Sequence, residues 1–288
     1  MRVFDNNFRG RATYLNEVID KIEFIQGDIT DPVQVKNAVK DIDSVYHLAA
    51  INGTELFYKM PDRVLAVNTK GTINVLESLE NSNVKKFIFF SSSETYGSPE
   101  YFPTDEKHKL VIEDPSNPRF TYSGSKILGE IYTHTYCKKF NIDYSSVRPH
   151  NIYGPRMGYE HVLPQFIKRV VKNEQFTVQG DGMQTRSFCY ISDAIDLLLT
   201  IGKTKTNGEA FNVGNDKEEV SIKELIQILA KVAEVNLTPK FVELPKGGTL
   251  RRKPDINKAR KLLGYEPKVT LEEGVRFTYD WYKKDILG

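Results

Sequence analysis

A tyrosine and a lysine four residues apart are the side chains best placed by type and spacing to do chemistry. Tyr122 and Lys126 stand in Thr-Tyr-Ser-Gly-Ser-Lys, downstream of a serine-rich run at residues 91–97. On a helix, side chains at i and i+4 share a face, so the ammonium group would favour ionisation of the phenol. Moving a phenol pKa from ~10 to about 7 takes roughly 4 kcal/mol, which the ammonium and a second cationic group in a dry pocket can supply. The pair is typical of a tyrosine base that removes a proton from an alcohol during its oxidation.

The same spacing occurs a second time, so spacing alone does not identify a site. Tyr279 and Lys283 repeat it near the C-terminus, in Thr-Tyr-Asp-Trp-Tyr-Lys-Lys. No serine-rich strand end precedes this copy, and its apolar pattern predicts a terminal amphipathic helix. The context therefore favours Tyr122 as the functional tyrosine, with a purely structural tyrosine as the alternative.

The composition is that of an ordinary globular protein and excludes several classes of function. Of 288 residues, 27% are charged and 40% hydrophobic, and the formal net charge is +2. No single-sign charge field is present to bind nucleic acid, and the longest apolar runs are too short to span a bilayer. Cys137 and Cys189 form no Cys-x-x-Cys pair, so we expect neither a disulfide frame nor a metal site. These features predict a cytoplasmic protein without nucleic-acid or membrane partners.

Short apolar segments alternate with longer amphipathic ones through the first half of the chain. The pattern predicts strands at residues 2–4, 21–25, 44–48, 86–91 and 144–148, and helices at residues 33–40, 63–80 and 122–140. Alternation of strand and helix at this spacing is typical of an α/β fold with a parallel sheet covered on both faces. With right-handed crossovers, this is a doubly wound, Rossmann-type domain.

After residue 155 the strand signal weakens and helices dominate. They are predicted at residues 162–172, 192–202, 221–235 and 271–284, with Ser221 and Thr270 as N-caps. We expect a dinucleotide-binding domain formed by residues 1–155 with about 186–215. Residues 156–185 and about 216–288 are predicted to form a smaller, C-terminal substrate-binding lobe.

Over essentially its whole length, the chain resembles the extended short-chain dehydrogenase/reductases, in particular the nucleotide-sugar epimerases and dehydratases. Besides the serine run and the Tyr-Lys pair, several segments carry the resemblance independently. They are Val3-Phe4-Asp5-Asn6, Gly27-Asp28-Ile29-Thr30-Asp31, His47-Leu48-Ala49-Ala50, Val67-Asn68-Thr69-Lys70-Gly71, Arg148-Pro149-His150-Asn151, His161-Val162-Leu163-Pro164, Thr185-Arg186-Ser187-Phe188 and Arg252-Lys253-Pro254-Asp255. Taken singly, each has a structural alternative such as a turn, a cap or a tight core.

The resemblance implies NAD, in preference to NADP, as the cofactor. It implies that Asp5 binds the hydroxyl groups of the adenosine ribose and that Asp28 and Ile29 contact the adenine. Small residues after the third strand would let the backbone approach the cofactor. The implied cofactor-binding residues are Asp5, Asn6, Asp28, Ile29, Leu48, Ala49, Ala50, Asn68, Tyr122 and Lys126.

The resemblance also implies a nucleotide-diphosphate sugar as substrate, bound by the second half. Asn151 would approach the diphosphate, and Val162 would lie on the helix that lines the nucleotide pocket. Arg186 would pair with the diphosphate, which suits guanidinium geometry, and Arg252 would reach the substrate. Family members usually form homodimers through the helices that here contain residues 63 and 122, so we expect a homodimer.

For catalysis, the resemblance implies that Tyr122 removes the proton of the sugar C4 hydroxyl while hydride passes to the nicotinamide. Lys126 would tune the phenol and bind the nicotinamide ribose, and Ser92 would hydrogen-bond the same oxygen. Glu94 is typical of 4,6-dehydratases and glucuronate decarboxylases, whereas simple 4-epimerases commonly carry a small residue there. A surface or capping carboxylate is its structural alternative.

The implied activity is therefore that of an NAD(P)-dependent nucleotide-sugar epimerase/dehydratase that acts through a 4-keto sugar, with a dehydratase-like Glu94. A UDP-glucuronate decarboxylase and a simple 4-epimerase are alternatives. The decarboxylase would need a cation for the substrate carboxylate, which Arg119 or Arg252 would supply.

The sequence departs from the family at its N-terminus. The family's Gly-x-x-Gly-x-x-Gly loop follows the first strand, about twenty residues before the ribose acid, whereas here that acid is Asp5 and Gly10 lies after it. We therefore expect a sheet that lacks its first strand and glycine loop, and interpret Met1 as an internal start or a truncation. An N-terminally truncated, non-catalytic nucleotide-binding protein is the remaining alternative.

Overall fold

The computed structural model describes residues 1–243 and 249–288, which divide into two compact units. The first comprises Met1–Thr95, Leu110–Val147 and Thr204–Ala210, and the second comprises Tyr96–Lys109, Arg148–Lys203 and Phe211–Gly288. Residues 244–248, which the predicted substrate lobe includes, lie outside the described residues. The assignment of a dinucleotide-binding and a substrate-binding role to separate parts of the chain remains a prediction.

The first half of the chain alternates strands and helices. The strands are β1 (Arg2–Asp5), β2 (Glu23–Gln26), β3 (Ser44–His47), β4 (Lys86–Phe90) and β5 (Asp143–Pro149), and the helices are α1 (Pro32–Val39), α2 (Thr54–Lys59), α3 (Pro61–Glu77) and α4 (Phe120–Phe140). Each strand and helix predicted in this half is confirmed, with small shifts at its ends. The short helix α2 and a 3-10 helix at Ala12–Lys21 were not predicted.

The second half is richer in helices and has only short strands. The strands are β6 (Ile152–Tyr153), β7 (Thr177–Gln179), β8 (Thr185–Ser187), β9 (Cys189–Tyr190), β10 (Ala210–Val213), β11 (Glu219–Ser221), β12 (Lys240–Val242) and β13 (Arg251–Arg252). The helices are α5 (Val162–Val171), α6 (Ile191–Lys203), α7 (Ile222–Ala233), α8 (Asn257–Leu263) and α9 (Leu271–Leu287). Ser221 and Thr270 begin α7 and α9 with capping boxes, which confirms both predicted N-caps.

Parallel pairing connects the first five strands, but in two separate sheets. β1 pairs with β2, while β3, β4 and β5 follow one another in a sheet of order β10-β5-β4-β3. Within residues 1–243 and 249–288, β1 and β3 each pair along one edge only. The absence of the family's first strand remains a prediction from the sequence.

Close packing of α4 on β4 fixes the position of the Tyr-Lys pair. Phe87 and Phe89 of β4 are fully buried in the core of the first unit, together with Cys137 of α4. Gly129 of α4 faces the ring of Phe89 so closely that a Cβ at this position would lie 2.8 Å from Cε1. A glycine is therefore required for this helix to approach the strand.

Candidate active site

Lys126 is a buried cation that joins α4 to the carboxyl end of β4. Its side chain is only 4% exposed, and Nζ donates a hydrogen bond of 2.6 Å to the carbonyl oxygen of Phe90. The ammonium lies 5.6 Å from the ring centroid of Tyr122, one helical turn earlier. Burial lowers the pKa of Lys126 from its usual 10.5 to about 7, although the charge of Glu130 opposes the fall. The structure thus places a buried lysine, whose pKa is lowered by burial, beside the phenol.

The ring of Tyr122 is held by apolar packing. It is buried and stacks on Phe57 of α2, with ring centroids 4.8 Å apart and an interplanar angle of 13°. Ile51 and Val64 complete a small cluster around the two rings. This packing limits motion of the phenol, as a base that must meet a substrate hydroxyl requires.

Asn68 ties α3 to the segment after β3 and to α4. Its side-chain amide accepts from the backbone N–H of Ile51 at 2.8 Å and donates to the carbonyl of the same residue at 3.2 Å. It also donates to Ser125 Oγ at 3.1 Å, directly before Lys126 in the chain. Asn68 therefore helps to fix the position of α4 next to Lys126 through its hydrogen bond to Ser125. Its contact with the cofactor remains a prediction.

Ser92 and Glu94 follow β4 and bring a carboxyl group to the beginning of α4. Ser92 Oγ accepts from the backbone N–H of Glu94 at 3.1 Å, and residues Ser93–Tyr96 form a 3-10 turn. Glu94 Oε2 pairs with Arg119 Nη2 at 3.4 Å, with side chains 27% and 18% exposed. Because Arg119 precedes α4 by one residue, it lies one turn from Tyr122. The pair therefore brings both a carboxylate and a guanidinium to the beginning of the helix that contains Tyr122, the predicted base.

Two carboxylates lie at the carboxyl ends of β1 and β2. Asn6 donates to Asp28 at 3.0 Å, which links the two strand ends, and Asp5 accepts from the backbone N–H of Asn7 at 2.7 Å. The pKa of Asp28 is held below its usual value, chiefly by the hydrogen bond from the backbone of Thr30. Asp28 is therefore ionised at neutral pH and able to accept from hydroxyl or amino groups.

The remaining predicted cofactor residues follow the strand ends. Ile29 is buried against Gly71 of α3. Leu48 is exposed, and Ala49 and Ala50 are partly exposed directly after β3. Predicted contacts thus follow the carboxyl ends of β1, β2 and β3, where ligands of open parallel sheets bind.

In the second unit, two predicted substrate arginines are neighbours on adjacent strands. Arg186 of β8 and Arg252 of β13 are register partners in a parallel pair, so their side chains lie on the same face. Arg252 is buried and donates to Thr249 Oγ1 at 3.1 Å. Arg186 donates to the carbonyls of Thr249 and Leu250. Guanidinium groups suit the binding of phosphate oxygens, but the contact of these two arginines with a diphosphate remains a prediction.

Asn151 and Val162 occupy defined positions in the same unit. Asn151 adopts a left-handed backbone conformation with φ of 43°, and its side chain donates to the carbonyl of Ser187 at 3.1 Å. Val162 is the first residue of α5 and is partly exposed. Their predicted contacts with a nucleotide-sugar remain predictions.

Sequence reasoning missed Ser91, Glu130 and Phe57 as parts of this arrangement. Ser91 donates to Glu130 Oε1, which lies one turn beyond Lys126 on α4. The i, i+4 spacing of Lys126 and Glu130 was the available signal. No comparable signal pointed to Phe57, because its helix was not predicted.

Comparison with known proteins identifies relatives along the chain. Residues 2–214 match the sequence profile of the NAD dependent epimerase/dehydratase family. UDP-glucuronic acid decarboxylase 1 of Xenopus tropicalis is 32% identical over 288 residues, which cover 99% of this chain and 66% of that protein. The chain thus spans just under two thirds of this relative. UDP-glucuronic acid decarboxylase 3 of Arabidopsis thaliana is 34% identical over 278 residues, with 95% and 78% covered.

Solved structures show the same similarity. The UDP-glucuronic acid 4-epimerase from Bacillus cereus, determined with UDP-glucuronic acid and NAD, is 31% identical with a TM-score of 0.89. The match covers 98% of this chain and 90% of the epimerase chain. The doubly wound α/β fold predicted from the sequence is thereby confirmed.

Proposed function

Because the chain belongs to the NAD-dependent epimerase/dehydratase family, we propose that it is an NAD-dependent enzyme that converts a nucleotide-diphosphate sugar through a ketone at C4. The buried ammonium of Lys126 beside the Tyr122 ring carries this proposal. Burying a cation is unfavourable, and here the cation stabilises the ionised phenol next to it. A phenolate held in this way is a base suited to removing a hydroxyl proton.

The side chains of the first unit have the chemistry that NAD requires. Asp5 and Asp28 offer carboxylate oxygens to the hydroxyl and amino groups of adenosine, and the link from Asn6 to Asp28 keeps these groups together. Lys126 would bind the nicotinamide ribose. The cofactor, when bound, accepts the hydride that leaves C4. The solved epimerase that contains NAD supports the choice of NAD.

The protein side chains would remove the proton of the C4 hydroxyl and later return it. Tyr122 would remove it, and Ser92 would donate a hydrogen bond to the same oxygen. Lys126 would stabilise the phenolate before it takes this proton and again after the proton has returned to the sugar. Stacking on Phe57 holds the base in one place through both steps.

Decarboxylation of a uronic acid is a second candidate, favoured by the pairing of Glu94 with Arg119. Once C4 is a ketone, a C6 carboxylate on C5 makes the sugar a β-keto acid. The C5–C6 bond breaks, carbon dioxide leaves, and the electron pair forms an enolate on the C4 oxygen. C5 then takes up a proton, and return of the hydride to C4 would give the pentose. Arg119 would bind the carboxylate, and Glu94 would relay the proton to C5.

The names of the relatives point to the same class of substrate. Two are decarboxylases named for UDP-glucuronic acid, and a solved relative is a 4-epimerase of UDP-glucuronic acid. All three names specify a uronic acid on a uridine diphosphate. Arg186 and Arg252, which are register partners on paired strands, would bind the diphosphate.

Product analysis separates these activities. The purified protein is incubated with NAD and a panel of UDP-, GDP- and dTDP-sugars that includes UDP-glucuronic acid, with Tyr122→Phe as the control. Carbon dioxide with a UDP-pentose identifies decarboxylation, a 4-epimer identifies epimerisation, and a 4-keto-6-deoxy sugar identifies dehydration. Wild-type protein that binds NAD and forms none of these products would overturn the proposed function.

A homodimer built on α3 and α4 is a further part of the proposal. These helices pack against each other and expose Leu65, Leu128 and Ile131, the last with 55% of its surface accessible. Light scattering should give twice the chain mass for the wild type, and Ile131→Glu should shift the mass towards the monomer. A monomeric wild type at micromolar concentration would contradict the proposal.

The location of the protein is a separate prediction. No helix within residues 1–243 or 249–288 is both long and apolar enough to cross a membrane. A cytoplasmic location, expected from the sequence, remains a prediction that fractionation of cells would test.

A further inference from the structure

Two consecutive residues at the end of β4 hold two residues of α4 that lie one turn apart. The Phe90 carbonyl accepts from Lys126 Nζ at 2.6 Å, and Ser91 Oγ donates to Glu130 Oε1 at 2.5 Å. Ser91 is buried and Glu130 is partly buried. We call these four residues the β4–α4 clamp. It fixes a carboxylate on the same helix face as Lys126, on the side away from Tyr122.

Glu130 is the negative charge in this arrangement that acts on Lys126. Burial lowers the pKa of Lys126, and the charge of Glu130 opposes that effect. From β3, His47 faces the same ammonium, but burial and the lysine charge lower its pKa to about 3, so it is neutral. Phe89 of β4 contributes an aromatic ring 5.1 Å from Nζ.

We propose that Glu130, anchored by Ser91, is a positioning residue that favours the charged form of Lys126 beside Tyr122. Only the expected effect on enzyme kinetics rests on the proposed function, whereas the effect of Glu130 on the titration of Lys126 does not. Glu130 does not touch substrate or cofactor in this scheme and acts through Lys126 alone.

The direction of the effect follows from electrostatics. Without the Glu130 charge, burial acts on Lys126 unopposed, so the lysine loses its proton at lower pH. A neutral lysine no longer favours the phenolate, so Tyr122 should act as a base only at higher pH.

The titration of Lys126 itself tests the proposal without substrate or cofactor. Its side-chain NMR signal is assigned by its loss in Lys126→Met and followed with pH in the full-length protein. In Glu130→Gln, the midpoint should fall by about one unit or more, as expected for loss of an opposite charge within one helical turn. Glu80→Gln is the matched control, because Glu80 is exposed and pairs with Lys139. An unchanged Lys126 midpoint in Glu130→Gln would overturn the proposal.

Ser91→Ala and Glu130→Asp separate charge from position. Ser91→Ala keeps the charge but removes its anchor, so the Lys126 midpoint should fall by less than in Glu130→Gln. Glu130→Asp keeps the charge and should restore most of the wild-type midpoint. A midpoint in Glu130→Asp as low as in Glu130→Gln would contradict a role for the charge.

Kinetics provide the second readout. For a sugar that the wild type converts, the acidic limb of the kcat/KM profile should move to higher pH in Glu130→Gln, while activity at high pH recovers. A uniform loss at every pH would indicate a merely structural role and overturn the proposal. If no sugar is converted, the proposed function fails, while the NMR titration still decides the role of Glu130.

Discussion

Substituting Gly129 of α4 should disrupt the packing of this helix against β4. In Gly129→Ala, the new Cβ would lie 2.8 Å and 2.9 Å from Cε1 and Cε2 of Phe89. The ring is only 1% exposed and lies in the core of the first unit. Either the ring or the helix must shift, and the residue after Phe89 supplies the carbonyl that binds Lys126. We therefore expect losses of both stability and activity.

The magnitude follows from two opposing effects. Replacing glycine by alanine within a helix stabilises it by about 1 kcal/mol, whereas forcing extra volume into a packed core destabilises by about 1–3 kcal/mol. Gly124 of the same helix provides the control, because a Cβ there would meet Ile112 at an ordinary 3.4 Å. Gly124→Ala should gain about 1 kcal/mol, and Gly129→Ala should be less stable than Gly124→Ala by about 1–3 kcal/mol.

Urea unfolding of the two variants, followed by circular dichroism, measures this difference directly. The midpoint of Gly129→Ala should lie below that of Gly124→Ala with a similar slope. A Gly129→Ala protein as stable as Gly124→Ala would refute the argument that glycine is needed for contact between α4 and β4.

Three further changes have defined outcomes. Lys86→Met leaves the Asp143 carboxylate partly buried without its 2.7 Å partner and should lower the free energy of unfolding by about 3 kcal/mol. Burial raises the pKa of Asp143, but hydrogen bonds from Lys86 and Thr206 bring it below its usual value. The wild type should therefore lose stability as the pH falls through that lowered pKa. In urea titrations, Asp143→Asn should not show this pH dependence. Arg186→Lys should raise KM for a nucleotide-sugar about tenfold with little change in kcat, and an unchanged KM would remove Arg186 from the diphosphate site.

The two Tyr-x-x-x-Lys copies show how far sequence reasoning reaches. The ammonium lies 5.6 Å from the ring centroid in one copy and 5.7 Å in the other, so helical spacing alone gives the same geometry twice. Lys126 is buried, whereas Lys283 is exposed. Local spacing does not encode burial, which depends on the strand that packs against the helix. Only the flanking segments of the sequence could distinguish the copies.

Elements that rely on tertiary contacts were not predictable. Helix α2 has six residues, follows Gly53 with φ of 134° and has no side-chain cap. Its sequence therefore lacked both the length and the start signal of a helix. It nevertheless supplies Phe57, the ring on which Tyr122 stacks. The bond between Ser91 and Glu130 joins residues far apart in the chain, which periodicity within a helix does not reveal.

Oxidation at C4 is the central claim, and the fate of the C4 hydrogen tests it most directly. The protein is mixed with NAD and UDP-glucuronic acid deuterated at C4, quenched within one turnover, and the extracted cofactor is analysed by mass spectrometry. Wild-type protein should place deuterium on the nicotinamide ring, and Tyr122→Phe should place almost none there. Because the deuteride can return to C4, the cofactor is sampled at several times before the turnover is complete. Product that accumulates with no deuterium on the cofactor at any of these times would contradict the account.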